Sequence, residues 1–172
     1  MALDGHAVRR HDSGMSTDDL PAILKASWFA ADLSAEACDR LAALGTLTSF
    51  AEGQVLVHEG ATCTTLGVVV DGRIALRIRL PGGQDRTILT VEPGDVFGWS
   101  AILPPSVATS TGIAVVPTRA VMFDGARLRE AFATDCDLAA AIYSRLLVTV
   151  ARRLVATRTQ LLDLYGTGAE AW

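Results

Sequence analysis

Leu66-Gly67-Val68-Val69-Val70-Asp71-Gly72-Arg73-Ile74-Ala75-Leu76-Arg77-Ile78-Arg79-Leu80 is the stretch whose reading decides the fold class. Two runs of β-formers flank Asp-Gly, a pair that readily takes the positive φ of a tight turn, so the stretch predicts a hairpin. Beyond the turn Ile74, Leu76, Ile78 and Leu80 alternate with Arg73, Ala75, Arg77 and Arg79. That period of two describes a half-buried strand with a solvated basic face.

The same grammar extends both ways. Downstream, Pro81 to Asp85 predicts a turn, Arg86 to Val91 a returning strand, and Pro93-Gly94-Asp95 another turn. Phe97 to Ser106 is irregular, and strands resume over Ile113–Val116 and Ala120–Phe123. Upstream, Thr46 to Phe50 and Val55 to Val57 are short strands broken at Glu52-Gly53 and Glu59-Gly60. Roughly eight short strands at this spacing predict a barrel or sandwich.

Helices are expected at both ends. Ser16-Thr17-Asp18-Asp19 caps a short helix through Leu24, and Ser34 caps a second carrying Ala37, Cys38, Leu41 and Leu44, with Gly45 as its stop. Ala126 to Phe132 reads as a short helix. Thr134 or Asp135 then caps a long one running to Tyr165, with Gly166 after it. In the long helix Ala140, Tyr143, Leu147, Val150, Leu154, Thr157, Leu161 and Leu164 repeat at spacings of 3 and 4. That heptad seam predicts pairing with a second copy, while Leu146, Val148 and Leu162 form a flank for packing on the barrel. The expected organisation is a flexible tail over 1–17, helices and barrel over 18–135, the long dimerisation helix over 136–166, and a tail over 167–172.

Composition narrows the function. Fifteen Lys and Arg against nineteen Asp and Glu give a net charge of -4, which argues against a dedicated nucleic-acid binder. No run approaches the roughly 18 apolar residues of a membrane span, and the polar start has no apolar signal segment. The expectation is a cytoplasmic protein. Cys38, Cys63 and Cys136 are dispersed and odd in number, and are read as reduced, apolar packing residues. His58, alone at a strand end, is read as structural rather than as a haem ligand. No metal site and no catalytic constellation emerges.

Several segments, in order, resemble the cyclic-nucleotide-binding domain. Phe50-Ala51-Glu52-Gly53-Gln54-Val55-Leu56-Val57-His58-Glu59-Gly60 is similar to its opening strands, and Val70-Asp71-Gly72-Arg73-Ile74 to its next hairpin. Pro93-Gly94-Asp95-Val96-Phe97-Gly98 resembles the entry to its phosphate-binding loop. Ala151-Arg152-Arg153-Leu154 through Thr157 resembles the dimerisation helix of the Crp/Fnr regulators. The resemblance spans about residues 28–165 and implies a mainly β fold: a small double-stranded β-helix or jelly-roll barrel, flanking helices and a long C-terminal dimerisation helix. Gly98-Trp99-Ser100 before Pro104-Pro105 looks like a stand-alone subgroup without a helix-turn-helix.

In that family a Glu shortly after Phe-Gly holds the ribose, and an Arg followed by Ser or Thr holds the phosphate. Here those positions fall at Trp99 and at Ala108, with Thr109 after it, and no Arg or Lys occurs between Arg86 and Arg119. Losing both contacts, at about 1.5–3 kcal/mol each, weakens nucleotide binding by roughly 100-fold or more. The degenerate cassette therefore comprises Phe97, Gly98, Trp99, Ser100, Ala108 and Thr109, with Thr157 and Arg158 on the long helix as the nearest substitutes. Trp99 is expected to cover the old pocket, or else to anchor the Pro104-Pro105 loop.

The resulting expectation is a non-catalytic, homodimeric regulatory module that acts through a protein partner or another ligand, with no cofactor and no tightly held cyclic AMP. The alternatives are a cyclic AMP or cyclic GMP receptor with an atypical cassette, or a Crp/Fnr-type regulator working without its own DNA-binding domain. Only seven residues follow Tyr165, leaving no recognition helix in this sequence, so direct DNA binding is not expected.

Overall fold

The computed structural model describes residues 19–166, with side chains described as far as residue 159; the expected tails over 1–17 and 167–172 lie outside the described residues. The elements are α1 (Leu20–Ala26), α2 (Ala35–Ala42), β1 (Gly45–Phe50), β2 (Val55–Val57), β3 (Thr65–Asp71), β4 (Ile74–Arg79), β5 (Asp85–Val91), β6 (Val96–Phe97), β7 (Thr111–Ala114), β8 (Thr118–Asp124), α3 (Gly125–Thr134) and α4 (Cys136–Gly166). Eight strands form two antiparallel four-stranded sheets, ordered β1-β8-β3-β6 and β2-β7-β4-β5. This is the mainly β jelly-roll with flanking helices that the strand spacing and the resemblance imply.

One pairing differs from expectation. The Asp71-Gly72 turn closes no hairpin: β3 pairs with β6 and β8, whereas β4 pairs with β5 and β7. The turn instead carries the chain from one sheet to the other. Gly72 has φ 82°, and a Cβ there would stand 2.5 Å from the Pro117 carbonyl oxygen. The Arg73 N–H donates to Thr118 Oγ1 at 3.1 Å, tying the crossing to the start of β8. The turn chemistry is as read, but tertiary packing chooses the partner. The hairpin proper is β4–β5, in register from Ile74↔Val91 to Arg79↔Asp85, with a bulge between Leu76 and Arg77. The expected alternation fails before that bulge, where Ala75 is buried beside Ile74.

Each face of the first sheet has its own core. Leu66, Val68, Val96, Val121 and Phe123 face the helices, packed with Leu24, Phe29, Leu41, Leu128 and Ile142. Val69, Ala120 and Phe97 face inward, against Ile74, Val91 and Ala114 of the second sheet. β3 is covered on both faces, which is why its sequence reads as an unbroken apolar run.

Local signals place the helices. Ser34 Oγ accepts from the Ala37 N–H at 3.1 Å, and Asp135 Oδ1 from the Leu138 N–H at 2.9 Å, so Asp135 rather than Thr134 caps α4. Gly45 is not a helix stop: α2 ends at Ala42, and Gly45 opens β1, where a Cβ would meet Val121 Cγ1 at 2.7 Å. Along α4 Leu138, Ile142, Leu146 and Thr149 are buried, whereas Tyr143, Leu147, Val150 and Leu154 are exposed. Val148, expected on the packing flank, is exposed too. The side chains of Leu161, Leu162 and Leu164 lie outside those described. Cys38 and Cys63 are buried, but Cys136 is exposed, unlike the packed residue expected there.

Candidate functional site

β6 delivers the chain into the cassette. Phe97 is buried inside the barrel, over Gly67, where a Cβ would meet its ring at 2.2 Å. Gly98 takes φ 70°, and a Cβ there would stand 2.3 Å from the Thr65 carbonyl oxygen. A single 3-10 turn, Trp99–Ala101, follows from Gly98, and the Ala101 N–H donates to the Gly98 carbonyl oxygen at 3.0 Å. Ser100 and Ala101 are buried. Cys63 Sγ lies 3.6 Å from the same Gly98 oxygen, and burial pushes that thiol above the ordinary cysteine range.

The other half of the cassette is held to the backbone of residues 60–61. The Ala108 N–H donates to the Ala61 carbonyl oxygen at 2.9 Å, and the Gly60 N–H to the Ala108 oxygen at 2.9 Å. The Ala108 side chain is buried with Cys63 and Ala101, and Val57 packs against them. Thr109 is exposed. The cassette residues are thus divided among separate apolar clusters, Phe97 inside the barrel and Ala108 with Cys63 and Ala101. Trp99 is half-buried and packs against the helix-side core rather than among the residues inside the barrel.

The two helix positions stay apart from those clusters in their bonding. Thr157 is exposed, and its hydroxyl donates to the Arg153 carbonyl oxygen of its own helix at 2.9 Å; Arg158 is exposed as well. His58 is exposed, and among the described residues no group of three His, Cys, Asp or Glu is placed to hold a metal ion. Among the same residues no helix is long and apolar enough to cross a membrane.

Sequence reading missed an arginine cluster that ties α4 to the turn before the cassette. The Arg145 and Arg152 guanidinium carbons lie 4.6 and 4.1 Å from the centre of the Trp28 ring. Arg145 Nε donates to the Phe29 carbonyl oxygen at 2.9 Å, and its guanidinium pairs with Asp32. Arg152 stands 3.7 Å from Asp95. The Phe29 N–H donates to the Gly94 carbonyl oxygen at 3.0 Å, bringing the Trp28 loop onto the Pro93–Asp95 turn. Arg153 donates to the Val96 carbonyl oxygen, one residue before Phe97. Burial pulls the Arg153 guanidinium below the usual arginine range, and the charge of Asp95 opposes that shift. The signal was present in Arg145, Arg152 and Arg153, spaced for one helix face, but nothing local tells that face from a solvated one.

The family profile described as the cyclic nucleotide-binding domain matches residues 47–135. A CRP-like cAMP-activated global transcriptional regulator of Mycobacterium tuberculosis is 30% identical over 118 residues, covering 69% of this chain and 51% of the relative. The chain therefore spans about half the length of that curated relative. Among solved structures, a candidate cyclic nucleotide-binding protein of Geobacter metallireducens is 29% identical with a TM-score of 0.70, covering 78% of this chain and 97% of the other. The N-terminal domain of a Streptomyces coelicolor transcriptional regulator is 27% identical with a TM-score of 0.63, covering 78% of this chain and 94% of that one.

Proposed function

This chain belongs to the cyclic nucleotide-binding domain family, and on that premise we propose that it is a non-catalytic, homodimeric regulatory module whose cassette does not hold cyclic AMP tightly. The observation that carries the reading is Ala108, buried in an apolar cluster with Cys63 and Ala101 where the family's phosphate-binding arginine is expected. An anion entering such a place finds no full counter-charge from the cassette, and desolvating it costs several kcal/mol, a large part of the roughly 8 kcal/mol of a micromolar site. Trp99 gives no carboxylate to a ribose, and its packing on the helix-side core supports a role in anchoring the loop. The module works in the cytoplasm through a protein partner or a non-nucleotide ligand. The net charge of -4 supports an action without DNA contact by these 172 residues.

Calorimetric titration with cyclic AMP and cyclic GMP tests this. The expected dissociation constants are weaker than about 100 micromolar on the scale of tenfold per 1.4 kcal/mol. A low-micromolar constant overturns the reading. A second reading, a true nucleotide receptor, is favoured by the left-handed Gly98 and the 3-10 turn after it, whose backbone N–H groups form the kind of turn that receives anions. The pair Trp99→Glu with Ala108→Arg separates the two. Under the first reading it raises cyclic AMP affinity by about tenfold or more, and under the second it changes little. Because Ala108 is buried, thermal stability is followed alongside.

A further inference from the structure

A groove of about 600 Å³ opens between α4 and the second sheet, lined on the sheet side by Leu89 of β5. Its apolar wall on the helix comprises Val148, Ala151, Val155 and Ala156. Its charged residues are Asp95, Arg152 and Arg153, two cations against one anion, for a net charge of +1. None of the cassette residues Phe97 to Ala101, nor Ala108, lines it. The volume lies within the range of small-molecule sites, roughly 300–1,000 Å³.

The three charges are not equivalent. Arg152 is satisfied twice over, lying on the Trp28 ring at 4.1 Å and facing Asp95 at 3.7 Å. Asp95 acts on both arginines, facing Arg152 and favouring the charged form of Arg153 through its field, so the three groups together leave the net +1. Arg153 is half-buried, and its one hydrogen-bond acceptor among the described residues is the neutral carbonyl oxygen of Val96. A guanidinium carries five N–H donors, arranged as a fork that matches a carboxylate. A partly buried cation whose hydrogen bond goes to a neutral acceptor, and which shares one carboxylate with a second cation, is costly to hold. An anion reaching the groove would relieve that cost. The net +1 of the groove matches one negative charge, whereas a doubly charged phosphate would bring excess charge against a mainly apolar wall.

We propose that this groove is a binding site for an amphipathic monoanion, a small organic acid whose carboxylate pairs with Arg153 while its hydrocarbon body covers Leu89, Val148, Ala151 and Val155. The inference goes beyond the regulatory reading above and holds whether or not the cassette takes a nucleotide. It also gives the ligand a route to the barrel, because Arg153 is bonded to the strand that enters the cassette.

The full chain is titrated by calorimetry with decanoate, and with decanol as the uncharged counterpart of the same length. Decanoate is expected to bind saturably, one per chain, and decanol about tenfold or more weaker, since a charge-assisted pair contributes that much. Arg153→Gln is expected to weaken decanoate by about tenfold and leave decanol unchanged, with Arg153→Lys in between. Ala151→Trp fills the groove without touching the guanidinium and is expected to abolish both, with an unchanged melting temperature. It decides the matter alone if Arg153→Gln proves unfolded by circular dichroism. Equal affinity for decanol and decanoate, decanoate binding indifferent to Arg153→Gln or Ala151→Trp, or no binding at all would overturn the site. Displacement of decanoate by cyclic AMP would place the acid in the cassette and overturn it too. A separate cyclic AMP titration of the same preparation reports on the cassette, so the two readings fail independently.

Discussion

At Gly98 the backbone takes φ 70°, and any side chain would collide with the Thr65 carbonyl at 2.3 Å, so the cassette's entry depends on a residue without a Cβ. Gly98→Ala should destabilise the fold by about 2–4 kcal/mol, from left-handed strain and the clash together, read as a lower urea midpoint at unchanged slope. A midpoint within error of wild type would show that the loop rearranges freely. Chemistry at the cysteines gives a second residue-scale outcome. Cys38 and Cys63 are buried, and burial raises both thiols above the usual cysteine range, while Cys136 is exposed. At pH 7.5 the thiolate is the reacting form, so an alkylating reagent should label Cys136 rapidly and the other two only as the protein unfolds, as peptide mass mapping will show. Legibility at this scale followed range. Ser34 and Asp135 act on N–H groups three residues away; the first cap could be read from sequence, and the second to within one residue, as Thr134 or Asp135. Trp28 and Arg145 meet across 117 positions, and no local pattern announces them.

Among the elements, strand existence was legible and strand partnership was not. β3 and β4 were recognisable from alternation and β-branched content, yet the turn between them joins two sheets instead of one ladder. Turn chemistry fixes local φ, and it does not say which edge is nearest once eight strands have packed. The same limit applies to α4, whose heptad spacing was plain while the identity of its packing face was only half right: Leu146 is buried and Val148 is not. Consecutive residues on this helix therefore offer a sharp comparison. Leu146 is 3% exposed and Leu147 is 71% exposed. Leu146→Ala should cost about 2–5 kcal/mol of folding stability, as a transfer loss plus a cavity between α4 and the helix-side core. Leu147→Ala should stay within about 0.5 kcal/mol when measured at chain concentrations low enough to suppress association. Equal costs would mean that α4 docks on a different face.

For the whole molecule, the outward face of α4 is the largest question left by the packing. Tyr143, Leu147, Val150 and Leu154 are 38%, 71%, 36% and 52% exposed, and they repeat at spacings of 3 and 4. The helix is otherwise anchored by Leu138, Ile142 and Leu146 beneath and by the Arg145 and Arg152 contacts to Trp28, so the stripe is not needed to hold α4 on the barrel. Tyr143 is itself held in place, edge-on to Phe132 at 5.4 Å. Each Leu or Val side chain taken out of water contributes about 1.5–3 kcal/mol, and a rigid helix has little conformational freedom left to lose on pairing. The seam is thus expected to join two copies, and light scattering at tens of micromolar should give twice the 18.1 kDa mass of one chain. The melting temperature should rise with chain concentration, since association stabilises by mass action. Leu154→Asp puts a charge into the stripe and should yield the monomer. Val155→Asp is the control: this neighbour is 62% exposed but lines the groove on the flank of the helix, so it should leave the dimer mass unchanged. A wild-type chain already monomeric at that concentration, or a dimer broken equally by both substitutions, would sink the seam as the site of pairing.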